Sequence, residues 1–394
     1  MRRVNVKQIV ENGLCLGCGL CVDSPEDMSI DSKGFLRPGK TTNDHERVQS
    51  CPGARVEHHN AEGEYDLLWG PIIEGFVGFA INDHIRKSAS SGGGITAILS
   101  YLLSEKLVEG VIQVGVSSIS PIRNETKIVQ NVEDLIKNSG SRYAPSSTLD
   151  VLSDVLEDSN TYAVVGKPCD IAALRDLIER KVVDRSKFKY LISFMCAGVP
   201  SERGSLEVLK HMGVKLSDVS HFKYRGDGWP GLTKAVVGEK VYSMTYNESW
   251  GGVLNRYLQP RCKICADGIG EAADIVCADA WYGDSEGYPT FDERDGRSLI
   301  LARTHLGKKV VEHSVSNGYL SVQSVNPRVI DNIQPYQKNR KQTALARMLA
   351  LQLLFAKRPK FFGFHLFRNA VNAGFITQLK AFIGTFLRKL KGRI

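Results

Sequence analysis

The residues best suited to chemistry in this sequence are three cysteines near its start, Cys15, Cys18 and Cys21, with two residues between neighbours. This is the spacing of the first three thiolate ligands of an iron–sulfur cluster, and the intervening glycines let the backbone wrap closely around such a group. A fourth cysteine, Cys51, precedes a proline, although 29 residues separate it from Cys21. Because no second triplet follows, we expect Cys51 to complete the same 4Fe-4S cluster rather than to serve another one.

Two other uses of these thiols fit the sequence less well. A structural zinc site prefers two separated pairs of ligands, and a disulfide framework is typical of small secreted chains. With 394 residues, 42% hydrophobic and 24% charged, the chain is long enough for two or three globular domains. Its start has no apolar stretch, so we expect no signal peptide and reduced, metal-binding thiols in the cytoplasm.

Strand and helix patterns alternate behind the cysteine triplet. After a hairpin within residues 27–38, we expect strands at 110–116, 162–166 and 190–195, and helices at 95–107, 148–156, 170–181 and 201–212. Such alternation predicts an α/β domain with a largely parallel sheet and flanking helices. In these sheets, ligands collect at the carboxyl ends of the strands.

Four more cysteines are placed for a second metal centre. Cys169 and Cys196 each follow a predicted strand, and Cys262 and Cys265 form a pair with two residues between them. If the two strands are near neighbours, two single thiols and one pair supply four ligands, enough for a second cluster. Taken alone, a single cysteine is more often a small buried side chain. We interpret the ninth, Cys277, as core packing because it lies in an apolar run.

Two glycine-rich segments are candidates for ligand contacts. Residues 90–94 lead directly into a predicted amphipathic helix, whose unpaired amides and positive dipole end suit a phosphate group. An ordinary glycine-rich turn with a good helix cap fits the same residues, and they match neither a dinucleotide fingerprint nor a P-loop. In residues 224–231, Arg225 and Trp229 lie among glycines and would either frame a planar ligand or turn over a core tryptophan.

The formal charge of +8 is unevenly distributed along the chain. Residues 332–394 contain 13 Lys and Arg and no acidic residue, whereas the remainder carries 38 basic and 43 acidic residues. This split argues against a body that binds nucleic acid and indicates a separate role for the basic segment. Its longest uncharged stretch, residues 369–379, is too short to span a bilayer. We expect amphipathic helices that either lie on an anionic membrane surface or pack on the acidic body.

Several short motifs follow one another in an order that resembles a known family. They are Ser-Ser-Gly-Gly-Gly at 90–94, Gly-Ser-Arg-Tyr at 140–143, Gly-Lys-Pro-Cys at 166–169, Ile-Ala-Ala-Leu-Arg at 171–175, Cys-Ala-Gly-Val-Pro-Ser at 196–201, and the segments 225–231 and 262–281. In this order they resemble the coenzyme F420 hydrogenase/dehydrogenase beta-subunit family, with an N-terminal ferredoxin-type extension. The resemblance covers roughly residues 10–310 and leaves the basic segment outside it.

The resemblance implies an FAD-binding domain that also carries a 4Fe-4S cluster. It assigns FAD contacts to Ser91, Gly92, Gly93 and Thr96, and the wall of the flavin pocket to Ser141, Arg142 and Tyr143. It assigns the inner cluster to Cys169, Cys196, Cys262 and Cys265. Two residues depart from the family pattern, because Lys167 replaces a small residue and Ala197 replaces a histidine. Both lie near the expected crevice and leave the identity of the hydride acceptor open.

The expected architecture is a small α+β ferredoxin-type module (1–60), an FAD and iron–sulfur α/β domain with a mixed, largely parallel sheet (61–335), and a basic helical tail (336–394). The expected function is an FAD-dependent iron–sulfur oxidoreductase that passes electrons between two 4Fe-4S clusters, FAD and a hydride acceptor such as coenzyme F420. Its partner would be an electron donor or acceptor protein. The alternatives are a reductase of a polysaccharide-pathway intermediate at the inner membrane face and a non-catalytic electron-transfer subunit. The sequence assigns no catalytic residue.

Overall fold

The computed structural model describes residues 4–58, 62–283 and 290–392. Its strands are β1 (Met28–Ile30), β2 (Leu36–Pro38), β3 (Arg55–Glu57), β4 (Glu64–Asp66), β5 (Gly70–Ile72), β6 (Glu74–Ala80), β7 (Gly110–Val116), β8 (Asn124–Val129), β9 (Tyr162–Gly166), β10 (Phe188–Phe194), β11 (His221–Lys223), β12 (Thr233–Val237), β13 (Lys240–Met244), β14 (Ile275–Asp279), β15 (Ser298–Ala302), β16 (Leu320–Val325) and β17 (Lys360–Phe362). Its α-helices are α1 (Val6–Glu11), α2 (His45–Gln49), α3 (Asp83–Ser88), α4 (Gly94–Ser104), α5 (Val132–Lys137), α6 (Leu152–Glu157), α7 (Pro168–Glu179), α8 (Glu202–His211), α9 (His305–Ser316), α10 (Ile330–Ile333), α11 (Pro335–Gln342), α12 (Ala344–Leu353), α13 (Leu366–Asn372) and α14 (Phe375–Leu390).

Eight strands of the described residues form one mixed sheet in the order β16-β6-β15-β14-β10-β9-β7-β8. The four strands β14, β10, β9 and β7 run parallel. The strands outside them are antiparallel to their neighbours. The mixed sheet is therefore as predicted, but its parallel part is limited to these four strands.

Helices cover both faces of this sheet. Ile98 of α4 and Val310 of α9 belong to the core on one face. Ile171 and Leu174 of α7 belong to the core on the other face. Because the carboxyl ends of β9 and β10 lie side by side, the loops that follow them open at the same edge of the sheet.

The N-terminal module contains α1, the β1–β2 hairpin, α2 and β3. Antiparallel pairing of β1 with β2 confirms the predicted hairpin. The boundary predicted at residue 60 lies outside the described residues.

The basic segment contains α11, α12, α13, α14 and the strand β17, and it contacts the rest of the chain. Strand β17 pairs in parallel with β3 of the N-terminal module. On α11, Arg340 and Lys341 are both buried. Within the described residues, every helix is too short or too polar to cross a membrane.

Candidate functional site

The cysteine triplet lies on a tight loop that depends on two glycines. Gly17 and Gly19 have φ angles of +68° and +85°, in the left-handed region that favours glycine. A β-carbon added at Gly19 would lie 2.5 Å from the backbone nitrogen of Asp150. Next to it, the amide of Leu149 donates to the carbonyl oxygen of Cys18 at 2.8 Å. The loop therefore packs directly against residues 149–150 of the α/β domain.

The structure brings Cys51 to the triplet. Burial, together with the charges of Cys51 and Cys15, raises the pKa of the Cys21 thiol to about 12. Burial, together with the charge of Cys15, raises the pKa of Cys51 to about 11. The charge of one thiolate raises the pKa of another thiol only when the two sulfurs lie close together. We refer to Cys15, Cys18, Cys21 and Cys51 as the outer cysteine set.

Backbone amides point at the sulfurs of the outer cysteine set. Burial raises the pKa of each thiol, and these amides oppose the rise: that of Gly17 acts on Cys15, that of Leu20 on Cys18, and those of Gly53 and Ala54 on Cys51. Hydrogen bonds to sulfur stabilise thiolate ligands and adjust the potential of an iron–sulfur cluster. The loop therefore offers the polar surroundings that such a group needs.

The second group of four cysteines meets at the carboxyl ends of β9 and β10. Cys169 lies in the first turn of α7, and Cys196 follows β10. Cys262 lies in the short 3-10 helix Pro260–Ile264, and Cys265 directly follows this helix. Burial raises the pKa of Cys196 to about 12, and the charges of Cys262 and Cys265 affect it as well. Burial and then the Asp170 carboxylate raise the pKa of Cys169, with further contributions from Cys196 and Cys262. We refer to these four residues as the inner cysteine set.

Each of the two sets consists of four free thiols. All nine cysteines lie in the described residues, and none forms a disulfide. In the same residues, no three His, Cys, Asp or Glu side chains approach closely enough to share one metal ion. Cys277 stands apart from both sets, buried in the core of the sheet as predicted.

The loop that carries Cys15 packs against the inner cysteine set. Leu16, beside Cys15, packs in one apolar cluster with Cys262 and Cys169 of the inner cysteine set. The side-chain amide of Gln259 donates to the carbonyl oxygen of Leu16 at 3.3 Å. Arg37 donates to Gln259 at 3.1 Å and to the carbonyl oxygen of Cys15 at 3.2 Å. The loops that carry the two sets are therefore fastened to each other.

An arginine of the C-terminal segment also reaches the inner cysteine set. Arg340 of α11 is buried and donates to the carbonyl oxygens of Cys196 at 2.6 Å and Cys262 at 2.5 Å. Gln337, one turn earlier, donates to the same oxygen of Cys196 at 3.2 Å. Sequence reasoning missed both residues, because they lie in a polar stretch more than 70 residues beyond Cys265. No local pattern distinguishes them from solvent-exposed helix residues.

Lys167, one of the two departures from the family pattern, points into the protein. Its ammonium group bonds to the carboxylate of Asp170 at 2.9 Å and to the hydroxyl of Ser146 at 2.8 Å. Burial opposes its charge, but Asp170 more than offsets this and raises the pKa of Lys167 above its usual range. The other carboxylate oxygen of Asp170 lies 3.8 Å from the sulfur of Cys169. The pair therefore lies directly beside the inner cysteine set.

Replacing Lys167 by methionine is expected to destabilise the fold by roughly 3–5 kcal/mol, because it leaves the buried Asp170 carboxylate without its cation. The double variant Lys167→Met/Asp170→Asn removes both charges and should recover much of this loss. Urea unfolding of the anaerobic protein measures both free energies. A single variant as stable as the parent chain would contradict the buried ion pair.

The segments assigned to the flavin converge at one place. The hydroxyl of Ser90 accepts from the amide of Ser141 at 2.5 Å and donates to the carbonyl oxygen of Arg225 at 3.4 Å. A β-carbon added at Gly296 would lie 2.3 Å from the carbonyl oxygen of Ser91. Residues 88–94, 140–142, 225–228 and 295–298 therefore form one surface at the start of α4.

The start of helix α4 is built from glycines whose amides contact Ser298. Gly93 caps the helix with a φ of +75°, and the amide of Gly92 donates to the hydroxyl of Ser298 at 3.0 Å. Among the described residues, no group accepts a hydrogen bond from the amides of Ile95 and Thr96. Unpaired amides at a helix start are the backbone groups that bind phosphate in other proteins.

Other side chains assigned to the flavin are engaged within the protein. The hydroxyl of Ser91 donates to the carbonyl oxygen of Arg297 at 2.9 Å. The ring of Tyr143 packs against that of Trp250 with 4.7 Å between centroids. Arg142 donates to oxygen atoms of four residues, namely Pro121, Arg123, Asn124 and Phe222. These side chains hold the loops in place, and the guanidinium of Arg142 is directed at the protein itself.

The glycine-rich segment 224–231 turns over a core tryptophan, the second of its two interpretations. Trp229 is 2% exposed and stacks on Trp281, with ring centroids 4.8 Å apart. Its indole nitrogen donates to the carboxylate of Asp279 at 2.7 Å. Arg225 donates to both oxygens of the same carboxylate at 2.8 Å. This network fixes the carboxyl end of β14 beside the surface formed by the flavin segments.

A cavity of about 740 Å³ opens next to this surface. It lies between α3, the turn at Gly228 and residues 293–296, and Ser88 at its wall leads into residues 90–94. Its lining carries both signs of charge, from Arg86 and Lys87 as well as Asp227 and Glu293. This volume lies within the range of pockets that bind cofactors and small molecules.

Comparison with known proteins defines the class of this chain. Residues 76–153 match the family model described as coenzyme F420 hydrogenase/dehydrogenase, beta subunit N-term, and residues 159–328 match the corresponding C-terminal model. The chain therefore belongs to the coenzyme F420 hydrogenase/dehydrogenase beta-subunit family, as the ordered motifs predicted.

Individual relatives cover the chain to different extents. The coenzyme F420 hydrogenase subunit beta of Methanococcus voltae is 26% identical over 285 residues, covering 69% of this chain and 94% of the relative. The coenzyme F420-dependent sulfite reductase of Methanocaldococcus jannaschii is 28% identical over 327 residues and covers 77% of this chain. This chain spans only 46% of that reductase and 62% of the F420-dependent formate dehydrogenase subunit beta of the same organism.

A solved structure has the same fold. A chain of the F420-reducing NiFe hydrogenase complex from Methanosarcina barkeri superposes with a TM-score of 0.58 at 19% sequence identity. The match covers 75% of this chain and 98% of the other. The α/β architecture is thus one that a solved protein adopts.

Proposed function

We propose that this chain is an iron–sulfur flavoprotein subunit that transfers electrons between a redox partner protein and a hydride-accepting small molecule such as coenzyme F420. The observation that supports the proposal is that four free thiols on the N-terminal loops lie next to four more at the carboxyl ends of β9 and β10, where Leu16 packs with Cys262 and Cys169. Two adjacent sets of four thiols suit a pair of one-electron centres better than a hydrolytic or binding role.

The residues that would hold each cofactor follow from their placement. One 4Fe-4S cluster would be bound by the outer cysteine set (Cys15, Cys18, Cys21 and Cys51) and a second by the inner cysteine set (Cys169, Cys196, Cys262 and Cys265). FAD would be bound at the start of α4 by Ser91, Gly92, Gly93 and Thr96, with the amides of Ile95 and Thr96 facing its phosphates. The backbone at Ser141, Arg142 and Tyr143 would form the wall of the site, because the side chains of Arg142 and Tyr143 are engaged within the protein. A bound flavin accepts electrons singly and releases them in pairs as hydride.

The chain's own residues prepare these sites electrostatically. Arg37 and Arg340 place positive charge beside the outer and inner cysteine sets, which offsets the negative charge of thiolate ligands. Leu16 and Val199 fill the space between the sets with apolar atoms and keep water out of it. The unpaired amides of α4 bind an anionic group without adding a charge of their own.

The substrate and partner are inferred from relatives. Those named above are an F420-dependent reductase, and beta subunits of an F420 hydrogenase and an F420-dependent formate dehydrogenase. A deazaflavin is therefore our first choice of hydride acceptor, and a hydrogenase-like or dehydrogenase-like subunit is our first choice of partner. The fold by itself does not select the substrate.

An anaerobic assay with reduced methyl viologen and coenzyme F420 tests this proposal. We expect the full chain to reduce the deazaflavin, seen as loss of the absorbance of its oxidised form, while the Cys262→Ala variant does not. A chain that retains flavin but leaves F420 oxidised would contradict the choice of substrate. A chain that purifies with clusters and without flavin would contradict the proposed flavoprotein and favour a non-catalytic electron-transfer subunit.

A further inference from the structure

We propose that helix α14 is a docking surface for an anionic membrane. Five apolar side chains on this helix are spaced three or four residues apart and exposed: Ile376, Leu379, Ile383, Leu387 and Leu390. We refer to them as the α14 stripe. Their spacing places them on one side of a helix that runs for 16 residues.

The opposite side of the helix is already occupied. Thr385 is fully buried, and the side-chain amide of Gln378 donates to the carbonyl oxygen of Gln342 at 2.9 Å. These contacts fix α14 against the neighbouring helices, so the α14 stripe is held outward rather than left to fold back. Ile376 is 69% exposed and Leu390 is 62% exposed, values unusual for apolar residues held on a packed helix.

The apolar exposure continues into the residues before α14. Phe367 and Val371 of α13 are 72% and 63% exposed, and Phe375 at the start of α14 is 78% exposed. An exposed apolar series of this length marks an interaction surface rather than ordinary surface residues.

The charges around this surface select the kind of partner. Residues 332–394 contain no Asp or Glu, whereas the rest of the chain carries a net charge of −5. Arg368 and Lys380 are exposed, and among the described residues neither forms a salt bridge with a carboxylate. A helix with an apolar stripe flanked only by cations matches the boundary between anionic headgroups and acyl chains. Anionic headgroups would repel the acidic remainder of the chain, and this repulsion would orient the protein on the membrane.

Sedimentation of the full chain with lipid vesicles tests the proposal. We expect binding to vesicles of phosphatidylcholine mixed with phosphatidylglycerol, and at least about tenfold weaker binding to pure phosphatidylcholine. The triple variant Leu379→Ser/Ile383→Ser/Leu387→Ser should weaken binding by about tenfold or more. The matched control Ile119→Ser/Val241→Ser changes two exposed apolar residues of the body and should bind like the parent chain.

Charge reversal separates a lipid surface from other partners. Arg368→Glu/Lys380→Glu should weaken binding to anionic vesicles, whereas Lys215→Glu/Lys240→Glu on the body should weaken it less. Equal binding to both vesicle types, or none to either, would overturn the proposal. So would a parent chain that is dimeric in solution and becomes monomeric in the triple variant, since a second copy would then cover the α14 stripe. This test measures lipid binding and the molecular mass of the protein in solution, so its result does not depend on the proposed cofactors.

Discussion

Replacing Cys262 by alanine is expected to lower the iron content of the anaerobically purified chain from about eight to about four atoms. Cys262 belongs to the inner cysteine set, where its charge acts on Cys196 and its side chain packs on Leu16. The outer cysteine set lies on separate loops and keeps all four of its thiols. Iron analysis and electron paramagnetic resonance of the reduced protein should show one cluster where the parent chain has two.

The chain offers a matched control for this experiment in Cys277. It is 4% exposed and lies in β14 among apolar neighbours, outside both sets. Cys277→Ala should keep the full iron content and cost about 1 kcal/mol of stability from a small cavity. If Cys277→Ala lost iron as Cys262→Ala does, or if Cys262→Ala lost none, the division of the thiols proposed above would be wrong.

Replacing Gly19 by alanine is expected to remove the outer cluster while leaving the inner one. The added β-carbon would lie 2.5 Å from the nitrogen and 2.8 Å from the α-carbon of Asp150, both backbone atoms that side-chain rotation cannot move. The φ of +85° adds strain of its own. The loop would have to lift away from the domain, which separates Cys18 and Cys21 from Cys51.

Gly213→Ala separates strain from steric overlap in this second experiment. Gly213 has a φ of +71°, and a β-carbon there would meet nothing within 4 Å. It should therefore cost only the left-handed strain, about 1–2 kcal/mol, and retain all iron. Iron content and thermal unfolding of both variants provide the comparison. Equal behaviour of the two would show that the contact with Asp150 does not shape the loop.

The centre of the fold was predictable because its strands are short apolar runs between clear turn signals. Strands β7 and β9 have the predicted bounds, and β10 and α7 differ by a few residues. Helix α6 begins at Leu152 rather than at residue 148. The reason is that Thr148 donates to the Asp170 carboxylate at 2.7 Å and Leu149 to Cys18, so these residues serve tertiary contacts instead of a helix.

The antiparallel part of the sheet was not predictable in the same way. Strand β6 is distant in sequence from both β15 and β16, yet it lies between them in the sheet. Alternation of apolar residues indicates that a strand exists and which face is buried, but it does not name the neighbour of that strand.

The candidate site was predictable where chemistry and spacing coincide. Thiols at fixed spacing and at strand ends have few other uses, so the sequence alone was enough to group the eight cysteines, and their role as cluster ligands stays a prediction. The role of Arg340 was hidden, because its contact with Cys196 depends on how α11 folds back over the domain. Arg142 is the opposite case. Its motif predicted a place in the wall of the flavin pocket, but its guanidinium donates hydrogen bonds to carbonyl oxygens of the protein.

The measurement that tests the central claim most directly is the iron and acid-labile sulfide content of the full chain purified without oxygen. Two 4Fe-4S clusters predict about eight irons and about eight sulfides per chain. A content of about four irons, or none, in protein that is folded and contains all nine thiols would contradict the assignment of both cysteine sets to clusters.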